Sequence, residues 1–243
     1  MSAVPLQLLA RIVEGLGLAL DGRQREQFEE YYRLLVAANQ RVNLTSVTAY
    51  DDVQRRHFGE SLAVVAALYR AGVMRPGQAA HAIDLGAGAG FPGLPIKIAH
   101  PTLRLVLLES AAKKTAFLEE VVERLGLADV AVITGRAESA AHEPAHREAY
   151  DLALARAVAP LPALVELALP FLRLGGVLAA PKGSRAAREV AAAAPALRAC
   201  GGRLLSTERL ADSPLTLVLV EKVAPTPDAY PRRPGIPTKR PLR

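Results

Sequence analysis

The densest chemistry in the sequence lies in one loop, Asp84-Leu85-Gly86-Ala87-Gly88-Ala89-Gly90-Phe91-Pro92-Gly93. Glycine has no Cβ, so such a loop can turn sharply and bring its backbone close to a ligand. The apolar run before it, Ala80–Leu85, reads as a strand. A loop after the first strand of a doubly wound sheet is where nucleotide-like ligands bind. The spacing is G-x-G-x-G, and Phe91 stands where a dinucleotide fingerprint places its last glycine. Pro92 and Pro95 lack the N–H groups that a pyrophosphate needs. No Gly-Lys-Ser/Thr follows, which excludes a Walker-type phosphate loop. A nucleoside ligand without phosphates fits better, and S-adenosyl-L-methionine is such a ligand.

Charged residues recur at the ends of the later strands. Glu109 stands 23 residues after Gly86. A carboxylate there can accept from both ribose hydroxyls. The plainer reading is an acid favoured by a helix start. Gly135-Arg136-Ala137-Glu138 follows the third strand, where an adenine would lie. A backbone N–H and the Glu138 carboxylate could read the ring edge, or Glu138 is another helix-start acid. Arg156 is a charge in an apolar setting and needs a partner: cofactor, RNA or a core carboxylate. Lys182 could meet a phosphate or be a solvated loop charge. Arg55-Arg56-His57-Phe58-Gly59-Glu60-Ser61 either supports RNA and the cofactor pocket or is the polar face of a helix.

The elements that must position these residues follow from periodicity. Strands are expected at Ala80–Leu85, Leu103–Leu108, Val130–Thr134, Leu152–Ala155, Val177–Ala180, Leu204–Leu210 and Leu215–Glu221. Helices are expected at about 93–99, 112–125, 161–173 and 185–199. Continuous apolar strands separated by helices indicate a parallel sheet covered on both faces. The last two strands suggest an antiparallel hairpin at one edge. Residues 1–75 read as a helical region, with helices around Leu8–Leu16, from Asp21-Gly22 through Val36, and over 51–71. Asn43-Leu44-Thr45 is turn and cap chemistry. The core then spans 76–222. Residues 223–243 form a Pro-rich tail, in which five prolines from Pro225 to Pro237 exclude a helix or a central strand.

The chain has 243 residues, 51% of them apolar, which is enough for a buried core. One cysteine, Cys200, excludes a disulfide framework and a cysteine-cluster zinc site. The five histidines read as scattered, with no ligand spacing such as H-x-x-x-H, and no metal is expected. No run of 18 apolar residues is present; the longest candidate, Ala157 to Leu172, carries Glu166 and three prolines. Arg11 and Glu14 interrupt the first apolar run, so a secretory signal is not expected. Net charge is +6. Arg232, Arg233, Lys239, Arg240 and Arg243, against Asp228 alone, place most of it in the tail. A basic tail on a nearly neutral body suggests a polyanionic partner or a solvated, partly disordered end.

Several of these segments together resemble one family. They are Asn43-Leu44-Thr45, Arg56-His57-Phe58, the loop continuing to Gly93-Leu94-Pro95, Gly135-Arg136-Ala137-Glu138, Arg156-Ala157, Lys182-Gly183 and Tyr230-Pro231-Arg232-Arg233-Pro234-Gly235. The chain resembles the bacterial GidB/RsmG family nearly end to end. Ala87 stands where that family usually has a small hydroxyl residue, and Glu60 where it usually has aspartate. The resemblance implies a class I, Rossmann-like S-adenosyl-L-methionine-dependent methyltransferase, with a mostly parallel seven-stranded sheet and an N-terminal helical extension. It implies methyl transfer to N7 of a guanine of 16S rRNA, at position 527 in the 530 loop, leaving S-adenosyl-L-homocysteine.

Carried over by position, cofactor contacts fall at Gly86, Phe91, Ala137, Glu138 and Arg156; the loop glycines Gly88 and Gly90 and the ribose candidate Glu109 complete the expected cofactor set. Arg136, Arg156 and Lys182 are candidates at the reacting base. Arg56, Lys182, Arg232, Arg233, Lys239 and Arg240 are candidates for RNA, with the tail tracking phosphates. The expected partner is 16S rRNA, as the small ribosomal subunit or an assembly intermediate, met in the cytoplasm by a monomer. Guanine N7 carries an in-plane lone pair and no proton, so positioning rather than a general base would drive transfer. The alternatives are methyl transfer to another acceptor, another small-molecule enzyme on the same sheet, and a non-catalytic RNA-binding protein with a relic pocket.

Overall fold

Alternation along the strands decides how the sheet is covered. The computed structural model describes residues 6–242. The first five residues, where a signal would begin, and Arg243 of the tail lie outside them. Seven strands are present: β1 (Ala80–Leu85), β2 (Leu103–Glu109), β3 (Val130–Thr134), β4 (Tyr150–Leu154), β5 (Leu172–Lys182), β6 (Gly202–Arg209) and β7 (Thr216–Lys222). They form one sheet in the order β3-β2-β1-β4-β5-β7-β6. The five from β1 to β5 run parallel, and β7 runs antiparallel to both of its neighbours. The hairpin at one edge is present, with β7 inserted between β5 and β6. Strand order reverses between β1 and β4, which brings the loops after those two strands side by side.

The helices are α1 (Gln7–Gly15), α2 (Gly22–Asn39), α3 (Tyr50–Asp52), α4 (Glu60–Arg70), α5 (Gly93–Ala99), α6 (Ala112–Arg124), α7 (Ala137–Ala140), α8 (Leu161–Ala168), α9 (Ala186–Ala192), α10 (Ala194–Cys200) and α11 (Ile236–Lys239). Among the described residues no helix is long and apolar enough to cross a membrane. Successive strand residues point to opposite faces. Ala82, Leu105, Leu107 and Leu152 therefore join Leu9, Phe28, Leu35 and Leu62 in one cluster. Ile83, Leu85, Leu108 and Ala153 join Leu161, Leu164 and Cys200 in another. The N-terminal helices thus share a core with the sheet. Asp21 starts α2 with a capping box, accepting from Gln24 N while the Gln24 side chain returns to Asp21 N.

Four expectations need correction. The helix over 161–173 stops at Ala168, and β5 begins at Leu172. Pro170 in the intervening 3₁₀ turn explains the stop, because it cannot supply a helical N–H. The helix over 185–199 is two helices, with Pro195 in the first turn of α10. The helix over 51–71 is one run from Tyr50 to Arg70, widened to a π-helix at Val53–Gly59. The tail does contain a helical turn, α11, with Pro237 in its first turn, where no N–H is missed.

Candidate functional site

The three loop glycines have separate jobs. Gly86, Gly88 and Gly90 all have positive φ, at 66°, 60° and 94°. Gly86 is exposed, and its N–H donates to Leu108 O at 2.8 Å, tying the loop to β2. Gly90 faces inward instead: a Cβ there would meet Leu94 and lie 2.5 Å from Tyr31 Oη. A side chain at this position would thus displace Leu94 and Tyr31. Phe91 is 5% exposed; its ring stacks on His57 at 4.4 Å and on Tyr31 at 5.3 Å. The ring anchors the loop to the N-terminal helices.

Asp84 lies beneath this loop, fully buried. Its Oδ2 accepts the Gly93 N–H at 2.8 Å, while Oδ1 has no partner. Burial pushes its carboxyl up to about 7, against the opposing pull of Gly93 N–H and Arg156. The N–H that opens α5 is thus taken by a carboxylate of the same chain. That disfavours a pyrophosphate there, as the prolines suggested.

Glu109 is 7% exposed at the end of β2. Oε2 accepts Gly88 N–H at 3.0 Å, and Oε1 accepts Ala111 N–H at 2.9 Å and Ser110 Oγ–H at 3.3 Å. A carboxylate offers about four lone-pair sites; three are used here, which leaves one for a ribose hydroxyl. Beside it a slot is lined by Gly86, Ser110, Gly135, Arg136, Ala137, Glu138, Val158 and Thr238. Arg136 precedes α7 and is exposed. The Glu138 carboxylate accepts the Gly235 N–H at 2.8 Å. An orphaned acid oxygen on Asp84, an exposed glycine turn at Gly86 and one unused acceptor site on Glu109 suit a nucleoside-bearing cation.

Arg156 sits at the end of β4 and joins the helical region to the sheet. Nη1 donates to Arg56 O at 2.9 Å and approaches Glu60 Oε2 at 3.5 Å. Nη2 donates to His57 Nδ1 at 3.1 Å, and Cζ lies 5.3 Å from the Phe91 ring centroid. The carboxylate partner weighed from sequence is Glu60, which Ser213 also holds at 3.0 Å. Burial, with Arg156 and Arg56 nearby, pushes His57 down to about 4, so it is neutral near pH 7. Accepting at Nδ1 puts its proton on Nε2, which faces Thr45 Oγ1 at 2.9 Å. Thr45 therefore fixes the imidazole that orients Arg156.

Lys182 is not a solvated charge. It is 8% exposed, donates to Ala159 O at 2.5 Å and pairs with Glu189 at 3.1 Å. A cleft of about 890 Å³ lies beside Arg156, lined by Arg55, Arg56, Arg156, Lys182 and Arg185 with Glu60, Glu189 and Asp212. Arg156 and Lys182 are tied to carboxylates, and Arg55 lies 4.0 Å from Asp52. Among the described residues Arg56 and Arg185 form no ion pair. They are left to face the cleft.

The tail is docked elsewhere. The Arg232 guanidinium holds both oxygens of fully buried Glu166, at 2.8 and 2.7 Å, so its assignment to RNA is corrected to an anchor. Arg233, Lys239 and Arg240 are exposed. The sequence reading missed Asp84's open oxygen, the Thr45–His57 support, Arg185 and Glu189. It also passed over the four-residue spacing of His142 and His146. Their partners diverge: His142 Nε2 meets Pro231 O at 2.9 Å and His146 Nδ1 meets Tyr150 Oη at 2.6 Å.

The chain is similar to known proteins in fold and in sequence. The chain is similar to a SAM-dependent methyltransferase from Aquifex aeolicus in fold, with TM-score 0.50 and 17% identity over 66% of this chain and 89% of that one. A mutant of MtNAS solved with S-adenosylmethionine gives TM-score 0.56 at 16% identity, covering 92% of this chain and 86% of that one. In sequence it is 48% identical over 237 residues to the Ribosomal RNA small subunit methyltransferase G of Roseiflexus castenholzii, covering 96% of this chain and 98% of the relative. The protein of the same name from Chloroflexus aggregans is 43% identical over 241 residues, covering 97% and 98%. The family model GidB, rRNA small subunit methyltransferase G, matches residues 24–217, which take in the glycine loop, Glu109 and Arg156. On that match and these near full-length identities, the chain belongs to the GidB family.

Proposed function

We propose that this protein transfers a methyl group from S-adenosyl-L-methionine to N7 of a guanine in 16S rRNA, as a monomer in the cytoplasm. The observation that carries this reading is the Glu109 carboxylate at the end of β2, tied to Gly88 N–H with one acceptor site unused, next to a slot lined by Gly86 and Ser110. When bound, the cofactor supplies an electrophilic methyl group, which the N7 lone pair can take without losing a proton. Glu109 would hold a ribose hydroxyl, and Asp84 would supply negative potential beneath the loop. Gly135, Arg136 and Ala137 would border the adenine. The neighbouring cleft would take the target nucleotide, with Arg56 and Arg185 meeting phosphates. Arg156 would stand between the two, held rigid by Glu60, His57 and the Arg56 carbonyl. A fixed cation there sets the orientation of reactants at little reorganisation cost.

In functional terms residues 1–75 orient Arg156 and add Arg56 to the target cleft, residues 76–222 carry most of the cofactor and target sites, and residues 223–243 pack onto them. The RNA partner is the small ribosomal subunit or an assembly intermediate. Calorimetry with S-adenosyl-L-homocysteine tests the cofactor reading. Glu109→Ala and Gly86→Asp should abolish binding while the fold survives. Wild-type affinity in both variants would sink the site assignment.

A further inference from the structure

The tail was expected to track RNA phosphates. Its course through the structure argues for another role. Arg232 clamps buried Glu166 with side chain and backbone, the latter at 2.9 Å, and also donates to Arg240 O at 2.7 Å. Arg147 donates to Tyr230 O at 3.1 Å. Beyond these anchors the chain turns at Gly235, whose φ of 80° favours glycine. Its N–H reaches Glu138 Oε1 at 2.8 Å, across 97 residues of sequence. Pro237 is buried, and Thr238 lines the same slot as Gly86, Ser110 and Arg136.

We propose that Gly235–Thr238 forms one wall of the adenosyl slot and fixes the Glu138 carboxylate at its rim. The proposal rests on the cofactor reading above. Strand ends supply only one side of a doubly wound site, and a ligand pocket normally covers most of its ligand's surface. Loops after β1, β2 and β3 provide Gly86, Ser110 and Arg136; the tail provides Thr238 from far along the chain. A slot built this way couples cofactor retention to the docking of the tail through Arg232. The basic groups still exposed on it, Arg233, Lys239 and Arg240, then lie beside the cofactor site rather than on a free arm.

The test uses a chain ending at Pro234, which keeps the Arg232–Glu166 pair, and Thr238→Trp in the full chain. Affinities for S-adenosyl-L-homocysteine and 5′-methylthioadenosine are measured by calorimetry, with thermal melts of the ligand-free proteins. Losing one hydrogen bond and its adjoining contact predicts roughly tenfold weaker binding in the truncated chain. The factor should be the same for both ligands, because both carry the adenosyl group. Thr238→Trp should weaken both ligands with every anchor intact. Unchanged affinity in a folded truncated chain, or a loss confined to S-adenosyl-L-homocysteine, would overturn the proposal. If the full chain bound neither ligand, the cofactor reading would fall and this proposal with it.

Discussion

Asp84→Asn should trade cofactor affinity for stability above neutral pH. The carboxyl is fully buried, Oδ1 has no partner, and burial moves it from 3.8 to about 7. Between those values the folded chain keeps a proton that the unfolded chain has released. The group therefore costs nothing below pH 3.8, and stability falls as pH rises until the loss is complete above about pH 7. A shift of roughly 3 units at about 1.36 kcal/mol each is a penalty of about 4 kcal/mol. Asparagine carries no charge to desolvate, and its oxygen can keep the Gly93 N–H. Its amide nitrogen takes the place of Oδ1 without a partner, which costs about 1–3 kcal/mol at every pH. The difference between pH 4 and pH 8 is free of that cost. Urea denaturation at both values should show the variant gaining about 4 kcal/mol on the wild type over this range. A difference that does not change with pH would refute the assignment of a raised carboxyl. In calorimetry above pH 7 the same variant should bind S-adenosyl-L-methionine, which carries a sulfonium, more weakly, because the negative potential beneath the loop is gone.

Two further outcomes follow from the ion pairs. Arg232→Met leaves Glu166 buried and unpaired, so urea denaturation should show a loss of about 3 kcal/mol; adding Glu166→Leu should recover most of it. Arg56→Glu and Arg185→Glu, the cleft cations outside ion pairs, should weaken binding to ribosomal RNA and lower the salt slope by about 1 for each lost phosphate contact. Affinity for S-adenosyl-L-homocysteine should stay as in the wild type.

What could be read in the sequence was local. The bounds of β1 and β3, the capping box at Asp21 and the glycine loop depend on neighbours within a few residues. Glu109 was legible because its distance from Gly86 follows from strand and helix lengths in a doubly wound unit. The rest depends on partners far along the chain. Arg156 meets His57 and Glu60 across 99 and 96 residues, and Gly235 meets Glu138 across 97. Pairing at such separations has no periodic trace. One signal was open to use: Glu166, alone among apolar neighbours from Ala157 to Leu172, must find a cation once buried. Followed through, that requirement would have pointed to a basic residue elsewhere, and to a tail that is anchored rather than free.

The central claim is methyl transfer to guanine N7 in ribosomal RNA. Its most direct test is incubation of the protein with methyl-labelled S-adenosyl-L-methionine and unmethylated small-subunit particles, followed by nucleoside analysis of the RNA. Label is expected in 7-methylguanosine alone. Label in another nucleoside, or none in RNA from protein that still binds the cofactor, would contradict it.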